Sequence, residues 1–172
     1  MLGYKKSPFS FNINSSPVLA MSPHSGTNYS KHFMQQTSLS LSELRESEDC
    51  HVNKILDVKS KKYSTLIANF PRIFVDVNRS PLDIDPDMWE KNNLKKIFFK
   101  DSSKVREGIG IFHRVSLNGN GIYSQKLNII EAKYRLFNYY FPYHKKIKEI
   151  LKKKKMSTKK YLFLTYIRCL QK

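Results

Sequence analysis

Two short apolar runs that break off into polar residues constrain this chain more than anything else in it. The first, Pro17-Val18-Leu19-Ala20-Met21, leads into Ser22-Pro23-His24-Ser25-Gly26. The second, Ile73-Phe74-Val75-Asp76-Val77, leads into Asn78-Arg79. Runs of this length read as buried strands rather than helices. A strand end is a rigid place from which to present a side chain. The chain is therefore expected to bring a histidine and an arginine to the edge of a sheet.

The rest of the pattern alternates strands with helices, which indicates an α/β sheet. Residues 1–16 read as a polar lead-in, 17–22 as a strand and 23–29 as a loop. A helical region is expected over 38–59, with Ser42 as its cap. Strands are expected over 63–69 and 72–77, split by Pro71. Residues 78–87, with two prolines and three aspartates, read as a loop. A strand over 108–116 and a turn at Asn118-Gly119-Asn120-Gly121 follow. Residues 129–141 read as a helix ending near Pro142, and 143–155 as a second, very basic helix.

The 172 residues fit one domain and can bury a real core. The chain is 40% hydrophobic and 13% aromatic, which excludes disorder throughout. The net charge of +17 raises nucleic acid or an anionic surface as a partner. The chain is also rich in Lys, Asn, Ile, Phe and Tyr, the residues of A/T-rich codons, so base composition accounts for part of that charge. Two cysteines, Cys50 and Cys169, give no disulfide framework, and a reduced, cytoplasmic setting is expected. No run approaches the roughly 20 apolar residues of a membrane helix, so no membrane partner is expected.

Several residues could carry chemistry. His24 reads as a metal ligand, neutral imidazole being the commonest one, or as a loop histidine bonded locally. Glu48 and Asp49 lie on a predicted helix, where adjacent residues do not share a face, so one of them is a candidate and not both. Arg79 offers a planar fork that grips a carboxylate bidentately, or else it pairs with Asp83, Asp85 or Asp87. His144 reads as a substrate group or as a helix-start histidine. Arg114 and Arg135 bind an anion if they point inward. His32, His51 and His113 have no spacing to recommend them, and Trp89 reads as a packing anchor.

In this order, these pieces resemble the N-formylglutamate amidohydrolase family. The matching residues are Ser22-Pro23-His24-Ser25-Gly26, Glu48-Asp49 with Val52 and Leu56, and Phe74-Val75-Asp76-Val77-Asn78-Arg79. Gly119 to Tyr123 and Glu131, Arg135 and Tyr139-Tyr140-Phe141-Pro142-Tyr143-His144 follow. The resemblance implies a three-layer, zinc-carboxypeptidase-like α/β fold with a mixed sheet, in which residues 17–151 form the N-terminal part of a single domain. It implies a zinc cofactor, with His24 as a ligand and Asp49 (or Glu48) as the acidic ligand, since the position three residues after the histidine is Thr27. Asn78 and Arg79 match the pair that binds the substrate carboxylate, with Arg114 and His144 as further substrate groups. The implied reaction splits N-formylglutamate, an N-acyl amino acid, into formate and glutamate, late in histidine breakdown.

The family's next motif is a strand followed by Asp-x-His-Ser, and beyond it comes a general-base Glu. No histidine follows His144 here, so a truncated, inactive chain is expected, completed if at all by a separately encoded C-terminal fragment. Residues 152–172 read as a basic, out-of-frame tail. Permitted codons for Leu164 to Lys172, read from the third base, spell Asp-Ile-His-Ser-Met-Pro-Ser-Lys, which suggests a frameshift. A second function class remains. Residues 145–160, beside Tyr139, Tyr140 and Phe141, could bind single-stranded nucleic acid by stacking and backbone contacts. No recognised nucleic-acid motif accompanies them, so nucleic acid is not the expected partner.

Overall fold

The computed structural model describes residues 7–56, 59–90, 100–157 and 162–165. Its centre is a four-stranded sheet in the order β1-β3-β2-β4. The strands are β1 (Phe9–Asn12), β2 (Val18–Ser22), β3 (Ser64–Ala68) and β4 (Leu162–Thr165). β2 runs parallel to both neighbours, with Ala20 opposite Thr65 and Leu164, while β1 pairs antiparallel with β3. The sheet is mixed, as expected. Its two central strands are buried along nearly all their length because both faces are covered. Leu19, Met21, Leu66 and Ala68 enter the main core, while Ala20 and Ile67 pack with Leu56 in a second, smaller cluster.

Two strand expectations and the lead-in are corrected. Residues 9–12 alternate Phe-Ser-Phe-Asn, a period of two that gives an edge strand rather than a lead-in. Phe9 seats its ring 5.9 Å from Tyr143. Residues 73–77 are buried but not a strand. Phe74 N bonds Pro71 O, and Asp76 N bonds Ile111 O, so the segment is held by loop contacts. Residues 108–116 likewise form a doubled-back loop, with Arg114 N on Gly108 O and Gly108 at φ 74°. An apolar run reports burial, and burial alone does not fix backbone pairing.

The helices are shorter and longer than expected. Residues 38–59 hold two short helices, α2 (Leu41–Arg45) and α3 (Val52–Ile55), after α1 (Lys31–Gln36). The cap of α2 is Ser40, not Ser42, in a complete capping box with Glu43. His51 adopts the left-handed φ of 64° between α2 and α3. A small helix α4 (Ser103–Arg106), capped by Ser102, follows a stretch outside the described residues.

The expected break at Pro142 does not occur. α5 (Ile129–Arg135), a π turn (Leu136–Tyr140) and α6 (Phe141–Ser157) run on as one helix. Phe141 N reaches back to Leu136 O, so the hydrogen-bond register shifts just where proline lacks its donor. α6 covers the sheet through buried Tyr143 and Ile150, and Lys154 Nζ donates to Ser64 Oγ and Ser16 O. The predicted tail contributes the end of α6 and β4. Residues 166–172, on which the reading-frame expectation rests, lie outside the described residues.

Candidate functional site

β2 delivers the His24 turn to its C-terminal end. The turn lies against the chain after β3: a Cβ on Gly26 would sit 2.2 Å from Phe70 O, so only glycine fits there. Ser22 Oγ meets Ser25 Oγ at 2.5 Å, and Asp49 N donates to His24 O at 3.1 Å. β4 ends beside this turn, with Thr165 opposite Met21.

His24 is buried between two carboxylates. Its Nε2 lies 3.0 Å from Asp76 Oδ1 and its Nδ1 lies 3.4 Å from Asp49 Oδ2. Burial pulls the ring toward neutrality, but hydrogen bonds to Asp49 and Asp76 outweigh it and raise its pKa. Asp76 is fully buried and is the hub of the site. It also accepts from Arg72 Nη2 at 2.9 Å and from Asn78 N at 2.9 Å, and His113 Nε2 stands 3.5 Å away. Burial opposes its charge. The two histidines and Arg72 nevertheless hold its pKa well below the usual carboxylate range. Burial keeps His113 below the ordinary histidine value.

Asp76, Arg72 and His113 are the functional residues that sequence reasoning missed. Asp76 carried a readable signal: a charge inside the apolar run 73–77 must be paired if that run is buried. His113 carried none, since its neighbours in space are remote in sequence.

His24, Arg72, Asn78, Arg79, Lys104 and His113 share the wall of one cavity of about 450 Å³. Arg79 Nε donates to Ile109 O at 3.1 Å. Among the described residues no carboxylate pairs with Arg79. Asp83 instead accepts from Ser80 N, Asp85 pairs with Arg114, and Asp87 N bonds Asp85. Tyr140 OH donates to Arg79 O at 2.9 Å, and His144 Nε2 donates to Val77 O at 2.9 Å. The helix thus holds both carbonyls flanking Asn78.

The remaining candidates separate. Asp49 faces His24, whereas Glu48 pairs with Arg45 at 3.3 Å and acts on Tyr29. His144 acts on the backbone of the Asn78 loop and does not line the cavity. Arg114 lies outside it, 2.7 Å from Asp85 and lining a different cavity of about 260 Å³. Arg135 is fully buried and saturated by Glu131, Phe74 O, Tyr123 and Gln36. Of the aromatics beside the lysine-rich stretch, Tyr139 and Tyr140 are buried and Phe141 is exposed.

A catalytic zinc takes three protein ligands and leaves one position open. His24 and Asp49 are two donors of the right chemistry, but among the described residues no group of three could hold a metal ion. No described helix is long and apolar enough to cross a membrane.

Comparison with known proteins places these features in a family. The family model for N-formylglutamate amidohydrolase matches residues 16–167. A crystal structure of N-formylglutamate amidohydrolase from Ralstonia eutropha JMP134 is similar in fold, with a TM-score of 0.83 at 29% sequence identity. The match covers 92% of this chain and 56% of that one, so the chain spans little more than half the length of that protein. No curated protein sequence matches.

Proposed function

The chain belongs to the N-formylglutamate amidohydrolase family, and on that premise we propose that its cavity receives an N-acyl amino acid of the N-formylglutamate type. One observation carries the reading: Arg79 lines the cavity beside His24 and has no carboxylate partner among the described residues. A cation on a cavity wall, its Nε anchored to Ile109 O, suits a ligand carboxylate. The volume falls within the usual range for small-molecule pockets. Asn78 and Arg79 would seat the carboxylate, with the acyl group toward His24.

The finer fold reading is the three-layer, zinc-carboxypeptidase-like arrangement, with His24 and Asp49 as the donors this chain brings to the family's zinc. Among the described residues no third donor joins them. The end of β4 lies beside the His24 turn, and a ligand carried just beyond such a strand would fall next to His24. A separately encoded segment bearing a histidine and a general-base carboxylate would be a partner of that chemistry. The nucleotide sequence across codons 164–172 tests whether a second reading frame spells Asp-Ile-His-Ser.

Two measurements test the function. The zinc-loaded chain is expected to release no formate from N-formyl-L-glutamate above buffer, because the described residues supply only two of the three donors a catalytic zinc needs. It is expected to bind that compound in a calorimetric titration, and Arg79→Gln should weaken binding about tenfold or more. Formate release by the chain alone overturns the inactivity. Unchanged binding by Arg79→Gln overturns the assignment of the cavity.

A further inference from the structure

The cavity wall holds a second cation, Lys104, whose backbone is held close to the group that anchors Arg79. Lys104 lies in α4, and its carbonyl accepts from Ile109 N at 2.8 Å. Ile109 O in turn accepts from Arg79 Nε at 3.1 Å. Ile109 therefore bonds the Lys104 backbone through its N–H and the Arg79 guanidinium through its carbonyl. Ser102 caps α4 by accepting from Val105 N, and Gly108 closes the turn at φ 74° with its N–H on Val105 O. The root of the Lys104 side chain is thus held by a short, capped loop, while its ammonium can swing between Glu107 and the cavity.

The charges around the cavity are one-sided. Among the described residues, Arg72, Arg79 and Lys104 are on its wall, and no Asp or Glu side chain is. Arg72 is committed to buried Asp76 at 2.9 Å. Among the described residues, the Lys104 ammonium pairs with Glu107 alone, at 2.7 Å, their side chains 43% and 49% exposed. A half-exposed ion pair is weak and readily exchanged. A ligand anion inside the cavity can take the ammonium from Glu107, whereas it cannot take Arg72 from Asp76.

We infer that Lys104 reads a second, side-chain carboxylate on the ligand whose first carboxylate seats on Arg79, which makes Lys104 the specificity-determining residue of the site. The inference rests on the function proposed above and assigns the selection of an acidic over a neutral amino-acid side chain to one residue. Glu107 is the intramolecular competitor that the ligand displaces.

The test is calorimetric titration of the full chain at low ionic strength with N-formyl-L-glutamate and N-formyl-L-glutamine, which differ by that one charge. The unsubstituted chain is expected to favour the glutamate compound about tenfold. Lys104→Gln should close the gap to within about twofold while leaving the affinity for the glutamine compound unchanged. Glu107→Gln should strengthen binding of the glutamate compound alone. Equal affinity for the two compounds in the unsubstituted chain overturns the role of Lys104, and so does an equal loss for both in Lys104→Gln. The site reading survives either result, because binding itself remains. Failure of both compounds to bind the unsubstituted chain overturns the site reading and this inference with it.

Discussion

Glu131 shows how a single side chain can organise this molecule. Its Oε1 accepts from Arg135 Nε at 2.8 Å and its Oε2 lies 3.0 Å from His32 Nε2, and it is only 7% exposed. Burial opposes the charge, but Arg135 and His32 outweigh it and hold the carboxyl below the ordinary glutamate value. A folded value below the unfolded one gives stability that is full above the unfolded value and drains away as pH falls through the folded one. Thermal unfolding should therefore show a loss of midpoint on acidification below about pH 4.5, to which Glu131 contributes. Glu131→Gln should cost about 3 kcal/mol at neutral pH, since it leaves buried Arg135 uncompensated. The same substitution should flatten the acid limb; a variant as acid-sensitive as the parent would refute this account. The sequence showed Glu131 and Arg135 at helical spacing, and His24 and Arg79 at the ends of apolar runs. It did not show that Asp76 joins His24, Arg72 and His113, because that hub forms only when segments about 50 and 40 residues apart in sequence fold together.

At the scale of elements, the long helix does more than cover the sheet. Arg135, Tyr140 and His144 reach the carbonyls of Phe74, Arg79 and Val77, all on the segment that carries Asn78. The π turn between α5 and α6 alters the helical phase between these contacts. A regular helix broken at Pro142 would not deliver Tyr140 and His144 to neighbouring carbonyls. Sequence patterning read two helices here because proline ordinarily ends one, and the compensating register shift leaves no local signal. It also read a strand over 73–77, where hydrophobicity reflects burial under this helix and not pairing in the sheet. Tyr140→Phe removes one of the three contacts and little else. It should cost about 1 kcal/mol, a fall in thermal midpoint of a few degrees. Amide exchange should quicken at Asn78 and Arg79 while the amides of β2 and β3 stay protected. Uniform quickening across the sheet would mean that the loop is not held by the helix but by the core as a whole.

At the scale of the whole molecule, charge and apolar surface act against each other. The net charge of +17 makes copies repel one another. Yet Phe137 and Phe141 stand exposed at 68% and 42% on the long helix, their ring centroids 5.4 Å apart. An exposed aromatic pair of this kind is a contact surface held in check by electrostatics. Repulsion between exposed charges is screened over about 10 Å at 0.1 M salt and over about 3 Å at 1 M. The hydrophobic contact is not weakened by that screening. Self-association should therefore rise with sodium chloride, the reverse of what charge-driven binding to an anionic partner shows. Light scattering from about 0.05 to about 0.5 M salt, roughly a tenfold span that collapses the repulsion, should show mass increasing in the parent chain. In Phe137→Ser/Phe141→Ser it should stay flat, with the thermal midpoint of the monomer nearly unchanged, because neither ring is buried in the core. Association that persists in the double variant would place the contact elsewhere on the molecule, and association that falls with salt would assign it to charge.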